Sequence, residues 1–360
     1  MVHTREALAQ LPAYTPGRTV PGAVKLASNE MPYPPLPSVA EAIAAVVAAG
    51  PNGGFNRYPD NAAVSLSEAL AAHVGADPAN IAVGCGSVAL CQQLIQATCD
   101  DGDAVLFPWR SFEAYPIVTK VVGAVPTTVP VAADHRLDLG ALAAAITDRT
   151  RMVFVCTPNN PTSTVVTGAE LTAFLDAVPE RVLVAVDEAY TEFVTDPDAA
   201  RGLPDALSRP NVVSLRTLSK AYGLAGLRVG YAIGAPAVVE AIRKVGLPFA
   251  VNDLAQAAGI AALSAEARPE LDARIATVVS ERGRVLSALR AAGYEVPESQ
   301  ANFVWLPLRE RAREFAAHCE ANGVIVRPFA DSTGGVRVTI GSVTENDAFL
   351  VAARSWAARE

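Results

Sequence analysis

The apolar residues of this chain gather in short unbroken runs rather than in alternation with polar ones. Runs at Ile81–Val83, Ala104–Phe107, Met152–Val155, Val182–Val186, Val212–Leu215 and Val229–Ile233 are bounded by small or polar residues. Such runs predict strands buried on both faces. Helical spacing separates several of them and predicts helices over Ser65–Val74, Val88–Cys99, Leu139–Ile146 and Ala169–Ala177. This order predicts an α/β fold with a mostly parallel sheet covered on both sides. In such sheets ligands bind beyond the carboxyl ends of the strands.

The two ends of the chain have a different texture. Residues 1–35 are proline-rich and carry LASNEMPYPPLP, which predicts an extended arm. A helix over Ser38–Ala49 follows, with Ser38 as its cap. The loop PNGGFNRYPDN reads equally well as a turn or as a contact surface bearing Phe55, Arg57 and Tyr58. After Pro248 come a long helix near Pro269–Ala292, the stretch YEVPESQANFVWLPL, a helix near Ala312–Ala321, and the strands VIVRPF and GVRVTI. The expected division is an arm (1–35) that joins a small α+β domain (249–360), with a large domain (36–248) between them.

Composition narrows the function classes. Of 360 residues, 51% are hydrophobic and 18% charged, which fits a globular chain with a sizeable core. A net charge of −8 argues against a nucleic-acid partner. No apolar stretch approaches the roughly 18 residues of a membrane helix. The N-terminus shows no basic region followed by an apolar core, so a cytoplasmic location is expected. Five cysteines without a Cys-x-x-Cys pair and four scattered histidines point to neither a disulfide framework nor a metal site.

The most informative stretch is Val212–Gly230, VVSLRTLSKAYGLAGLRVG. It runs from a buried strand into the hydroxyls of Thr217 and Ser219, then Lys220, then small residues, then Arg228. Burial lowers an amine's pKa toward the range of a nucleophile or base. Hydroxyls and an arginine beside it suit a phosphate. An amine next to a phosphate pocket is what pyridoxal phosphate requires. A solvated loop-edge lysine is the plainer alternative.

Other strand ends carry matching chemistry. GCGSVAL, residues 84–90, matches a dinucleotide fingerprint, but the next strand lacks the acid that a dinucleotide site needs. Ser87 and the backbone N–H of Val88, at a helix start, need hold only one phosphate. TPNNPTS offers the Asn160 amide, and VAVDEAY places Asp187 after a strand with Tyr190 three residues on. Intervals of 27 and 33 residues from Asn160 to Asp187 to Lys220 approximate successive βαβ units, which would bring all three to one sheet edge.

With TLSKAYGLAG, PNNPT, DEAY and NRYP in this order, the chain resembles the histidinol-phosphate aminotransferase family of class II aminotransferases from about Lys25 to Phe349. KLASNE, VGCGSVALCQQL, WRSFEAYP and SQANFVWLPL are most similar to its aromatic amino-acid (phenylalanine) branch. The resemblance implies fold type I, pyridoxal 5′-phosphate and a homodimer. It implies that Lys220 bears the cofactor, that Asp187 pairs with the pyridine nitrogen, and that Asn160 and Tyr190 donate to the phenolic oxygen. Ser87, Val88, Thr217, Ser219 and Arg228 would hold the phosphate, joined by Tyr58 of the neighbouring subunit. Phe112 would stack on the ring. Arg337 would bind the substrate's carboxylate, with Asn29 and Arg327 as further substrate contacts. The chain departs from many histidinol-phosphate enzymes at Met31, where a tyrosine would stand, and at Phe112, often tyrosine. Both changes predict an apolar wall that favours phenylalanine, tyrosine or tryptophan, with 2-oxoglutarate as amino acceptor. Histidinol phosphate is the alternative donor. A decarboxylase or a regulator is the alternative of another class.

Overall fold

The structure is a computed structural model that describes residues 2, 5–9, 11, 17–50, 54–330 and 333–358. His3, part of the N-terminal arm and the first three residues of the loop PNGGFNRYPDN lie outside the described residues. In chain order the strands begin with β1 (Val24–Lys25), β2 (Ile81–Gly84), β3 (Ala104–Trp109), β4 (Val125–Pro130), β5 (Thr150–Cys156) and β6 (Leu183–Asp187). They continue with β7 (Val212–Thr217), β8 (Gly230–Gly234), β9 (Phe303–Leu306), β10 (Val324–Ile325), β11 (Arg327–Phe329) and β12 (Gly335–Thr339).

Seven of these form the central sheet in the order β2-β8-β7-β6-β5-β3-β4. Only β8 runs against the rest, pairing antiparallel with both β2 and β7. The carboxyl ends of β2, β3, β5, β6 and β7 therefore share one edge with the start of β8. The unbroken apolar runs follow from cover on both faces. Phe107, Met152, Phe154, Ala185 and Val213 pack into one core cluster, while their neighbours Leu106, Val153, Val155, Val184 and Val212 pack into another. Each fully buried Val or Leu contributes about 1.5–3 kcal/mol.

Two local expectations need correction. Ser38 does not cap its helix: the helix spans Pro37–Ala48, Leu36 holds the cap position, and Pro37 fills the first turn, where its missing N–H costs nothing. Strand β4 went unforeseen. It contains Pro126 and Pro130, buries only Val129, and lies at the sheet's edge, where a strand needs neither an apolar run nor every N–H.

Beyond the central sheet, β11, β12 and β9 form an antiparallel sheet in that order. The helices Arg268–Ala291 and Ala312–Ala321 pack on it, and Val343–Ala357 packs on those two helices and on β10. The N-terminal strand β1 pairs in parallel with β10, and Thr339 donates its backbone N–H to the Leu26 carbonyl at 2.9 Å. No helix of the described residues is long and apolar enough to cross a membrane.

Candidate active site

A cavity of about 460 Å³ opens at the shared strand edge. Strands β5, β6 and β7 are parallel neighbours, with Cys156 opposite Asp187 and Asp187 opposite Leu215. The segments that follow them therefore arrive side by side, and Asn160, Asp187 and Lys220 all line the cavity.

Asp187 is the last residue of β6 and is buried. Its Oδ2 accepts the Tyr115 hydroxyl at 2.6 Å and its Oδ1 accepts the Ala189 N–H at 3.2 Å. Burial raises its carboxyl above the ordinary aspartate range, against the pull of those two donors and of Lys220. Lys220 donates Nζ to the Ser28 carbonyl at 3.2 Å. Burial, aided by the positive charges of Arg337 and Arg228 and opposed by Glu30 and Asp187, lowers its amine to about 7. A large part of the Lys220 population is therefore neutral at physiological pH.

A hydrogen-bonded chain crosses the cavity. The Tyr190 hydroxyl accepts from Asn29 Nδ2 at 3.0 Å and from Asn160 Nδ2 at 3.3 Å. Asn160 Oδ1 in turn accepts from Arg337 Nη1 at 2.6 Å, and Arg337 Nη2 donates to the Ala27 carbonyl at 2.7 Å. Arg337 is oriented by these bonds and lies within 6 Å of the Phe303 and Phe329 ring centroids.

A cradle faces this chain. The helix Ser87–Thr98 begins at Gly86, whose φ is +80°. A Cβ on Gly86 would lie 2.3 Å from Arg228 Nη2, and one on Gly230 would lie 2.3 Å from the Ser87 nitrogen. Both glycines thus permit a close approach of a guanidinium and a strand to the helix start. Arg228 Nη1 donates to Ser219 Oγ at 3.3 Å. A helix N-terminus, a serine pair and an arginine make an anion site. The Thr217 hydroxyl works inside the loop: it donates to the Val229 carbonyl and accepts the Ser219 N–H, both at 3.1 Å. It shapes the turn that carries Ser219 and Lys220.

The dinucleotide alternative fails on topology. The strand after the GCGSVAL helix is β3, which lies five places from β2 in the sheet, and the neighbour of β2 is the antiparallel β8. The adjacent parallel pair that a dinucleotide needs is not formed.

The chain matches the family described as Aminotransferase class I and II over residues 21–353. It belongs to that family. An aromatic amino acid aminotransferase of Rhodococcus jostii (strain RHA1) is 60% identical over 356 residues, covering 99% of this chain and 96% of that protein. A protein of the same name from Mycobacteroides abscessus is 58% identical, covering 98% of each chain. Among solved structures, the histidinol-phosphate aminotransferase of Sinorhizobium meliloti in complex with pyridoxal-5′-phosphate superposes with a TM-score of 0.90 at 28% identity, covering 100% of this chain and 98% of that one. An aspartate aminotransferase variant of Thermus thermophilus shares the fold, with a TM-score of 0.81 at 23% identity over 100% and 99% of the two chains.

Within this family member, Asn29, Ser87, Val88, Phe112, Asn160, Asp187, Tyr190, Thr217, Ser219, Lys220, Arg228, Arg327 and Arg337 all line the cavity. Tyr58 does not: it is 81% exposed and stacks on Phe249 with ring centroids 4.5 Å apart. Met31 also stands apart, in a depression that shares only Lys25, Glu30 and Ala225 with the cavity. The apolar wall expected of Met31 and Phe112 is instead Phe112 with Ile117, Val118 and Phe329.

Sequence reasoning missed Tyr115, which grips Asp187, and Glu113, whose Oε2 accepts from Arg327 Nη2 at 2.9 Å. Both lie within three residues of Phe112, but nothing in their spacing distinguishes them from an ordinary helix start. It also missed Glu188, buried beside Asp187, which ties Ser214, Arg216 and the Gly202 N–H beneath the site.

Proposed function

We propose that this aminotransferase moves the amino group of phenylalanine, tyrosine or tryptophan to 2-oxoglutarate, giving the aromatic keto acid and glutamate. The observation that carries the proposal is the cavity wall of Phe112, Ile117, Val118 and Phe329 beside the fixed guanidinium of Arg337. A carboxylate held at Arg337 leaves a benzyl or indolyl side chain against apolar surface, where each buried CH₂ contributes about 0.8 kcal/mol. The names of the relatives at 58–60% identity agree with this reading.

The residues fit pyridoxal phosphate. The cradle at the start of the helix Ser87–Thr98, which Gly86 and Gly230 let Arg228 and β8 approach closely, suits its phosphate, held by Ser87, Val88, Ser219 and Arg228, with Thr217 shaping the loop. Asp187 would pair with the pyridine nitrogen, Asn160 and Tyr190 with the phenolic oxygen, and Phe112 with the ring face. When bound, the cofactor supplies the electron sink that lets the Cα–H bond of the amino acid break.

This chain's own residues do the rest. Lys220, with its amine lowered to about 7, would be neutral often enough to serve as the base that takes the Cα proton of the bound amino acid. Asp187 keeps a proton on the pyridine nitrogen, and Arg337 orients the amino acid so that its Cα–H faces Lys220. The same reading makes the enzyme a cytoplasmic homodimer with Tyr58 serving its partner's site. It also takes 1–35 as an arm joined to a small domain (249–360) and 36–248 as the large cofactor-binding domain.

The test is kcat/KM for phenylalanine and histidinol phosphate measured side by side on the holoenzyme. Phenylalanine is expected to be the better donor. Arg337→Gln is expected to lower its kcat/KM by roughly 30- to 1,000-fold, from about 2–4 kcal/mol for a lost charge-assisted contact, with the cofactor absorbance kept. A tenfold preference for histidinol phosphate would put the histidine-pathway reading in its place.

A further inference from the structure

Strand β12 turns two side-chain amides onto one hydroxyl. Arg337 and Thr339 stand two residues apart on it, so their side chains share a face. A guanidinium can only donate, and Arg337 Nη1 meets Asn160 Oδ1 at 2.6 Å, which leaves Asn160 Nδ2 to face Tyr190. Thr339 sets the second amide. Its Oγ1 accepts the Asn29 backbone N–H at 2.9 Å and donates its own proton to Asn29 Oδ1 at 3.2 Å. Asn29 Nδ2 is thereby left to face Tyr190. Asn29 is buried, its carbonyl accepts from Asn302 Nδ2 at 3.1 Å, and its φ is +56°. Asparagine, aspartate and glycine tolerate that left-handed conformation best.

The consequence falls on Tyr190. Its oxygen takes an N–H from Asn29 at 3.0 Å and another from Asn160 at 3.3 Å, and among the described residues nothing accepts its proton. A phenol whose oxygen already accepts two bonds can offer a third group only its O–H. Tyr190 lines the cavity, and Lys220 Nζ lies 5.8 Å from its ring centroid. The uncommitted O–H is therefore available to an acceptor bound beside Lys220.

We propose that Asn29 is a positioning residue, which keeps the Tyr190 hydroxyl a donor toward the cofactor's phenolic oxygen. The proposal rests on the assignment of Tyr190 to that oxygen, and it gives Asn29 a part that needs no contact with the amino acid.

The experiment is a spectroscopic pH titration of the holoenzyme, which reads the midpoint at which the lysine-bound cofactor loses its chromophore proton. A bond donated to the phenolic oxygen stabilises the negative charge left there, so it holds that midpoint down. Tyr190→Phe should raise the midpoint by roughly one pH unit, the equivalent of one charge-assisted hydrogen bond. Asn29→Asp keeps the size and tolerates the positive φ, but puts an acceptor where a donor stood. The Tyr190 proton then turns to the carboxylate, and the midpoint should rise about as far as in Tyr190→Phe. The added charge also raises the midpoint by itself, and Asn29→Asp in the Tyr190→Phe background measures that part. Asp187, Lys220, Arg337, Arg228 and Glu30 face the same space in both backgrounds, so their charges cancel in the comparison. The rise in the Tyr190→Phe background should be clearly the smaller one. Should the aspartate variant fail to fold, Asn29→Gly, which accepts the φ and adds no charge, is read by the same rule. A midpoint that the Asn29 variant leaves unmoved, or moves equally with and without the Tyr190 hydroxyl, overturns the proposal. A Tyr190→Phe midpoint that stays in place overturns the assignment of Tyr190 itself, and the proposal falls with it.

Discussion

Replacing Tyr115 with phenylalanine removes one hydroxyl from the site and little else. The ring stays stacked on Phe154, where the centroids are 4.3 Å apart and the planes 10° from parallel. What disappears is the 2.6 Å bond to Asp187 Oδ2. A hydrogen bond to a buried charged group contributes about 1.5–3 kcal/mol. For a chain of 360 residues, with an unfolding entropy of about 2 cal/mol/K per residue, that corresponds to a fall in Tm of roughly 2–4 °C. The sign with pH follows from linkage. Burial already raises the Asp187 carboxyl, and the Tyr115 hydroxyl pulls it down, so Tyr115→Phe raises it further. A carboxyl whose folded pKa exceeds its unfolded one adds stability below the unfolded value, about 3.9, and loses it as pH rises through the folded value. The deficit of Tyr115→Phe should therefore be small near pH 4 and grow as pH rises through the folded value. Calorimetry of cofactor-free protein at both pH values measures this. A variant with unchanged Tm at neutral pH, or with a deficit that grows in acid, refutes the argument.

Three further outcomes are expected. Borohydride reduction of the holoenzyme followed by peptide mapping should place the pyridoxyl label on Lys220, and a label on Lys244 or Lys120 would sink the assignment. In cofactor-free protein an amine with a pKa of about 7 should gain reactivity toward an amine reagent by roughly tenfold per pH unit up to that value and then level off. Mixing Lys220→Ala subunits with Tyr58→Ala subunits should restore about one good site per hybrid dimer. Verified hybrids that stay inactive would argue that Tyr58 serves its own subunit.

Much of the sheet was legible because five of its strands lie inside it and carry unbroken apolar runs. Strand β4 was not, since an edge strand with one buried residue, Val129, carries no such signal. Asn160, Asp187 and Lys220 were legible because parallel neighbours present their trailing segments at one edge. Tyr115 was hidden because its partner sits 72 residues away on a different element, and only the packing of Ala114–Val122 beside β3 joins them. Glu113 was hidden likewise, because its arginine lies 214 residues downstream. Met31 misled for the opposite reason: a motif position identifies a residue's neighbours in sequence but not which of two adjoining depressions its side chain enters.

The fastening of the N-terminal segment to the last sheet bears on how the enzyme is made. Asn29 meets Thr339 across 310 residues of chain, and Lys220 and Arg337 hold the Ser28 and Ala27 carbonyls. At about 5–20 residues per second, a ribosome needs roughly 15–60 s to make the intervening chain. Once β8 is made the central sheet can form, yet β1 has no partner strand, Asn29 lacks Thr339 and the wall that carries Arg337 does not exist. Lys220 and Asp187 are thus synthesised well before the groups that finish their pocket. A nascent chain stalled before β10 would carry Lys220 and Asp187 at an open sheet edge, with β1 still unpaired.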